Sequence, residues 1–165
     1  MNRQQVKAII KLFKRTTLRN RPGLRKVFEQ GGHLWATDGY VLFDICEVKD
    51  EMFGKQVDLD ELLKWYAVHR KDTDCVPKTI FTNNTDNVPN IASLIKGEFV
   101  PKERVLFRID DLGLACEFLG IKSVSLAVNS INENLYLVKP VNDAEMPIMI
   151  RALESKAYVM GMIKK

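Results

Sequence analysis

Apolar residues recur at helical spacing through residues 3–19, and this pattern predicts an amphipathic helix near the start of the chain. The predicted apolar face consists of Val6, Ile9, Ile10, Phe13 and Thr17. Pro22-Gly23 follows, and this pair is typical of a chain that leaves a helix and turns.

Three short apolar runs come next, at residues 24–28, 34–36 and 40–46, and they predict neighbouring strands of an antiparallel sheet. The turn between the last two runs contains Asp38-Gly39, in which glycine reaches a positive φ at no steric cost. Residues 33–44 are therefore predicted to form a hairpin.

The pattern then predicts two more helices. One spans residues 59–70, with Asp58 as its N-cap and Glu61 three residues further on. The other spans residues 110–119 and ends at Gly120, a residue suited to the left-handed conformation that closes helices.

Short runs elsewhere predict the remaining strands, at residues 79–82, 124–128, 135–138 and 148–151. The elements together predict an α+β fold, an antiparallel sheet with two or three helices packed on one side. We expect residues 1–153 to form this single domain. Residues 154–165 are a C-terminal extension, for which the pattern allows a short helix or a frayed tail.

Composition narrows the class of protein. The chain has 165 residues, is 46% hydrophobic and 28% charged, and carries a formal charge of +4, as a globular domain with an apolar core does. No apolar run is long enough to span a bilayer, and no signal-peptide core is present, so we expect a cytoplasmic protein without a membrane partner. Three widely spaced cysteines, Cys46, Cys75 and Cys116, predict reduced thiols in the core.

The positive charge is concentrated in and after the first helix, because no acidic residue precedes Glu29. A basic stripe of this kind can be a solvated helix face, or it can lie along a phosphate backbone and bind without regard to base sequence. A membrane-surface helix is less favoured, since the apolar face is narrow and has no tryptophan. The candidate DNA-binding residues are Lys7, Lys11, Lys14, Arg15 and Arg19.

Catalytic chemistry finds little support in the sequence. The two histidines, His33 and His69, lie in no metal-ligand spacing, and no Gly-rich phosphate loop is present. The acids Asp38, Asp44 and Glu47 could hold Mg²⁺ in a nuclease, but acids at a turn and at strand ends are more typical of surface structure. We therefore predict no catalytic residues, no metal and no cofactor.

The hairpin sequence Ala36-Thr37-Asp38-Gly39-Tyr40-Val41-Leu42 resembles the Ala-Thr-Asp-Gly-His-Arg-Leu segment in the middle domain of bacterial sliding clamps, the β subunit of the replicative DNA polymerase. Other segments resemble clamp segments in clamp order, at residues 57–63, 88–95, 105–119 and 124–153. The resemblance covers roughly residues 5–153 and mixes features of the second and third clamp domains. It implies a single-domain relative of the family.

The resemblance implies a DNA replication processivity factor that holds double-stranded DNA non-specifically and binds DNA polymerase or clamp-loader-like proteins. A closed ring would need about six copies of the chain, or a partner. The implied partner-binding pocket consists of Thr37, Gly39, Tyr40, Leu42, Pro89, Leu94, Ile148 and Ile150. So short a version of the family would suit a phage or mobile element.

Besides the number of domains, three features of the sequence bear on these implications. Tyr40-Val41 replaces the family's His-Arg and makes the implied pocket more apolar. The family's Met-Pro position matches either Lys139-Pro140 or Met146-Pro147, and the second is favoured because it leaves three strands after the last helix. The last predicted helix carries acids, which have the wrong sign for lining DNA: Asp110, Asp111 and Glu117.

Two further functions therefore stay open. The protein can be a regulator that mimics one clamp domain and binds replication proteins without encircling DNA. It can also be a small basic nucleic-acid-binding protein, whose binding would depend steeply on salt.

Overall fold

The computed structural model describes residues 1–18, 22–84, 88–101, 108–122, 124–131, 135–140 and 156–160. The helices are α1 (Arg3–Leu18), α2 (Leu59–Val68), α3 (Ile91–Leu94) and α4 (Ile109–Leu119). The strands are β1 (Lys26–Gln30), β2 (His33–Thr37), β3 (Val41–Glu47), β4 (Lys55–Asp58), β5 (Thr82–Asn83), β6 (Phe99–Pro101), β7 (Val124–Asn129), β8 (Leu135–Pro140) and β9 (Lys156–Met160).

These strands form one open antiparallel sheet in the order β5-β4-β1-β2-β3-β9-β8-β7-β6. Three helices of ten or more residues, α1, α2 and α4, pack on it. The predicted α+β class, with an antiparallel sheet and about three helices, is confirmed.

The sheet consists of two similar halves. In one half α1 is followed by the meander β1-β2-β3, and in the other α4 is followed by the meander β7-β8-β9. The short strand β4 flanks β1, just as β6 flanks β7. Strands β3 and β9 pair antiparallel where the halves meet. This order and these directions are those of an approximate two-fold axis perpendicular to the sheet, a symmetry that was not evident in the sequence.

One face of the sheet, the inner face, is covered by the three long helices, with α1 packed against both α2 and α4. Because successive strand residues point to opposite faces, Val41 and Phe43 of β3 face the helices while Leu42 does not. The rings of Phe43 and Phe118 stack in this layer, with centroids 4.0 Å apart. The layer between the inner face and the three long helices is the main hydrophobic core.

The opposite face, the outer face, carries a second apolar cluster. Its buried members are Phe28, Trp35, Leu42, Ile91, Leu135 and Tyr158. Ile91 reaches this cluster from α3, which shows that residues 88–95 cross the outer face instead of joining the helix layer. Apolar side chains on both faces are consistent with a sheet that is covered on both sides.

Local capping follows the predictions. Asp58 Oδ1 accepts a hydrogen bond from the backbone N–H of Glu61 at 3.0 Å, as an N-cap of α2 does. Gly120 adopts a left-handed conformation (φ 70°) and closes α4. The hairpin turn of Asp38-Gly39 is also confirmed, and Gly39 has φ 88°.

Several boundaries differ from the predictions. The predicted strand at residues 79–82 is a 3-10 turn, Lys78–Ile80, followed by the two-residue β5. Strand β4 lies between the predicted strand at residues 40–46 and the predicted helix at residues 59–70, and its pairing with β1 defines it. The predicted strand at residues 148–151 lies outside the described residues. Strand β9 lies in the segment predicted to be a C-terminal helix or tail, and it pairs with β3 and β8 near the middle of the sheet.

Among the described helices, none combines the length and apolar character needed to cross a bilayer.

The three cysteines, Cys46, Cys75 and Cys116, lie in the described part of the chain and form no disulfide. Cys46 and Cys116 are half-buried, whereas Cys75 is exposed and is therefore not a core thiol.

Candidate functional site

The first helix separates its apolar and basic residues cleanly. Val6, Ile9 and Phe13 are completely buried against the sheet. Lys7, Lys11 and Lys14 are exposed on the other side of the helix. This follows from the helical period, which places residues three or four apart on one face. Three of the five predicted DNA-binding residues therefore form one solvent-facing row.

Two of these lysines share an acidic partner on α4. Lys11 Nζ lies 2.7 Å from both carboxylate oxygens of Glu117, and Lys7 Nζ lies 3.3 Å from Oε1. Partial burial acts to raise the pKa of Glu117, but the hydrogen bonds from Lys11 and Lys7 outweigh it and hold that pKa below its ordinary value. Glu117, one of the acids with the wrong sign for lining DNA, thus contacts two of the candidate DNA-binding lysines.

Lys14 is placed differently, since it makes no ion pair with any residue in the described ranges. Arg15, the next residue, turns inward and is mostly buried. Its Nε lies 3.4 Å from Asp38 Oδ2, and its guanidinium also contacts Asp111 of α4. Arg15 therefore joins helix α1 to the hairpin tip and to the second half of the fold, while its role in DNA binding stays a prediction. Arg19 lies outside the described residues.

The hairpin tip is held by side-chain hydrogen bonds. Asp38 Oδ1 accepts from the backbone N–H groups of Tyr40 and Val41, at 2.9 and 2.8 Å. The hydroxyl of Thr37 donates to the carbonyl of Val41 and accepts from the N–H of Gly39. Thr37 and Gly39 of the predicted pocket thus shape the turn, and Tyr40 projects from it with 39% of its surface exposed.

The other described members of the predicted pocket, Leu42, Pro89 and Leu94, lie on the outer face or in the segment that crosses it. Leu42 is buried in the same cluster as Ile91, so the hairpin and residues 88–95 meet on this face, while their role as a partner-binding pocket stays a prediction. Pro89 is half-buried in that segment, and Leu94 of α3 is 46% exposed. Ile148 and Ile150 lie outside the described residues. The described part of the predicted pocket therefore combines a buried apolar residue, Leu42, with the exposed side chains of Tyr40 and Leu94.

Two hydrogen bonds that were not predicted fix residues 88–95 to the sheet. The side chain of Gln30, at the end of β1, donates from Nε2 to the carbonyl of Pro89 at 3.0 Å. Its Oε1 accepts from the backbone N–H of Ile91 at 2.6 Å. A glutamine at a strand end is too common in sequences to signal such a contact.

A second polar group on the outer face was also missed. Asp44 of β3 is buried and accepts a hydrogen bond from His33 Nδ1 at 2.9 Å, and Lys156 Nζ of β9 lies 4.0 Å away. Burial raises the pKa of Asp44, although His33 and Lys156 act to lower it. Burial also raises the pKa of Tyr158, two residues along β9. The sequence offered one sign that Asp44 is buried, namely its position between two apolar residues, Phe43 and Ile45.

The acids considered for a magnesium site do not converge. Asp38 faces Arg15 at the hairpin tip, Asp44 faces His33 on the outer face, and Glu47 is exposed at the end of β3. Among the described residues, no group of three or more histidine, cysteine or acidic side chains has the arrangement of a metal site.

A cleft of about 450 Å³ opens where the ends of α1, α2 and α4 meet. Arg3 forms one wall, with its guanidinium 4.1 Å from the centre of the Tyr66 ring and its Nε donating to the carbonyl of His69. Lys7, Lys122 and Glu117 also line the cleft. The cleft therefore continues the mixed-charge surface of α1 and α4 to the helix ends.

Comparisons with protein-family models, with curated proteins and with solved structures each found no match.

Proposed function

We propose that this protein is a sliding-clamp-like, non-catalytic replication protein that holds double-stranded DNA through the exposed lysines of α1. The observation that carries the proposal is the row of Lys7, Lys11 and Lys14, which faces solvent while the opposite side of the helix is buried. Such a row contacts phosphates and reads no base sequence, so the contacts have no preferred register along the duplex. Weak contacts of this kind permit sliding.

The architecture supports the proposal in two ways. Helices α1 and α4 lie side by side on one face of an antiparallel sheet, so they can present a broad surface to a duplex. The two halves have the same helix-and-meander order, so each half contributes one long helix to the same face of the sheet. The resemblance of the hairpin and of the segments after it to bacterial clamp sequences is independent of these contacts.

We further propose that the outer face around the hairpin binds polymerase-type or clamp-loader-like partners. Tyr40 and Leu94 offer exposed apolar surface beside the buried cluster that contains Leu42. An apolar anchor with a polar surround is the usual form of a peptide-binding surface.

The DNA proposal is tested by a charge-reversal variant. Changing Lys7, Lys11 and Lys14 to Glu should abolish retention on duplex DNA at low salt. The matched control changes three exposed lysines outside the helices, Lys49, Lys71 and Lys96, to Glu. Because both variants change the net charge equally, equal loss of binding in both would contradict a site on α1.

Topology and mass separate the three functions. A ring-sized oligomer in light scattering, retained on circular DNA and lost from linear DNA, would support the clamp. A monomer or dimer without DNA retention would support the regulator that mimics a clamp domain. Salt-sensitive binding to both DNA forms alike would support the small basic nucleic-acid binder.

The partner surface has its own test. A fluorescent peptide with a polymerase-type clamp-binding motif should bind the protein, and Tyr40→Ser with Leu94→Ser should weaken this binding at least about tenfold. Val68→Ser is the control, because Val68 is also an exposed apolar residue but lies on α2, at the inner face. Unchanged affinity in the Tyr40 and Leu94 double variant would exclude this surface.

A further inference from the structure

We propose that Glu117 is an intramolecular competitor for phosphate, a carboxylate that occupies two DNA-binding lysines and sets the affinity of the α1 surface. This inference rests on the proposed function and adds to it the residue that regulates the site. Lys11 holds both oxygens of Glu117, and Lys7 holds one of them. A single carboxylate between two ammonium groups occupies the position that a backbone phosphate would take.

Stability does not account for this ion cluster. The side chains of Lys7 and Lys11 are 52% and 50% exposed and that of Glu117 is 26% exposed, and ion pairs that water can reach contribute little to folding. Other contacts join the two helices. Leu114 and Phe118 of α4 are buried in the core that α1 shares, and the side-chain amide of Gln4 donates to the Glu117 carbonyl. Removing the charge of Glu117 should therefore leave the α1–α4 packing intact.

The neighbouring residues show where the competition acts. Lys14 lies about two turns further along α1 than Lys7 and has no acidic partner among the residues that the structure describes. The row is therefore masked at Lys7 and Lys11 and open at Lys14. A duplex that first meets Lys14 must displace Glu117 from the other two lysines before it gains their phosphate contacts.

This exchange has a measurable consequence. Each lysine that neutralises a phosphate releases a counterion, and the logarithm of the DNA affinity then falls with the logarithm of the salt concentration by about 0.9 per contact. A lysine held by Glu117 releases no counterion of its own, so the masked surface has a shallower salt dependence. The carboxylate thereby keeps the DNA affinity of the α1 surface low enough for the protein to move along the duplex.

The test compares Glu117→Gln with the wild-type chain in duplex DNA binding over a series of salt concentrations. We expect the variant to bind about three- to tenfold more tightly at low salt. We also expect its salt dependence to be steeper by about one to two phosphate contacts. Asp110→Asn is the matched control, because Asp110 is an exposed acid on the same helix and makes no ion pair within the described part of the chain.

The outcomes separate this inference from the proposed function. If Glu117→Gln and Asp110→Asn strengthen binding equally, or neither does, while the lysine reversal still abolishes binding, Glu117 is not the competitor and the DNA site stands. If wild type and Glu117→Gln both fail to bind DNA at low salt, both proposals are overturned.

Retention on a heparin column provides a second readout. Glu117→Gln should elute at higher salt than Asp110→Asn, and a thermal melt checks that each variant is folded.

Discussion

Arg15 of α1 directs its Nε to Oδ2 of Asp38, 3.4 Å away, at a point where Asp38 is completely buried. The same guanidinium contacts Asp111 of α4, which is also buried. One cation therefore lies between two carboxylates, one from the β2–β3 hairpin and one from the second half of the fold. This cluster connects the β2–β3 hairpin to α1 and α4.

Replacing Arg15 by Met should lower the free energy of unfolding by about 3 kcal/mol, because two buried carboxylates lose this counter-charge. Urea denaturation followed by tryptophan fluorescence measures the change. Lys14→Met is the control, since Lys14 is exposed one position away and should change the free energy by less than about 0.5 kcal/mol. Equal effects in the two variants would show that the ion cluster does not stabilise the fold.

A glycine inside α4 and the glycine that closes this helix should respond oppositely to replacement by alanine. A Cβ at Gly113 would meet no heavy atom within 4 Å from the rest of the described chain, so Gly113→Ala should add about 0.5 to 1 kcal/mol through helix propensity. Gly120 has φ 70°, and its Cβ would lie 2.7 Å from Gln4 Nε2, so Gly120→Ala should cost about 1 kcal/mol or more. Thermal denaturation of the pair checks both signs, and destabilisation by Gly113→Ala would contradict the position given to α4.

The buried Asp44 should give the fold a characteristic pH dependence. Its pKa is raised in the folded state, so the folded protein holds the proton more tightly than the unfolded chain does. Stability from this group is therefore fully present below the unfolded pKa and is lost as the pH rises through the folded pKa. The free energy of unfolding of the wild type minus that of Asp44→Asn should fall as the pH increases from about 4.

A second variant sharpens that measurement. The hydrogen bond from His33 acts to lower the pKa of Asp44. When the same comparison is made in a His33→Asn background, the fall should extend to higher pH, because the raised pKa of Asp44 rises further. A difference that increases with pH in either background would contradict the burial of Asp44.

Gln30 should control how firmly residues 88–95 hold to the outer face. Gln30→Ala removes the hydrogen bonds to Pro89 and Ile91, and we expect the amide hydrogen of Ile91 to exchange about tenfold faster. The amides of β3 serve as internal control, since that strand is paired on both sides. Faster exchange throughout β3 would indicate global destabilisation instead of local release.

The elements that depend on short stretches of chain were predictable from the sequence. The period of apolar residues determined α1, and Asp58 and Gly120 determined where α2 begins and where α4 ends. The Asp38-Gly39 turn was predictable for the same reason, since its hydrogen bonds are made within a few residues. Such features need no knowledge of what lies across the sheet.

Periodicity also identified which α1 residues face solvent, but it could not identify their partners. The lysines of α1 meet Glu117 because α4 packs beside α1, and Asp44 is buried because β9 pairs with β3. Strand β9 has too short a pattern to be recognised alone, and its neighbours in the sheet define it. Local sequence is sufficient for the helical period, the caps and the turn, whereas the packing of distant elements establishes which charges meet. Charge pairing depends on contacts between segments far apart in the chain, which no local pattern records.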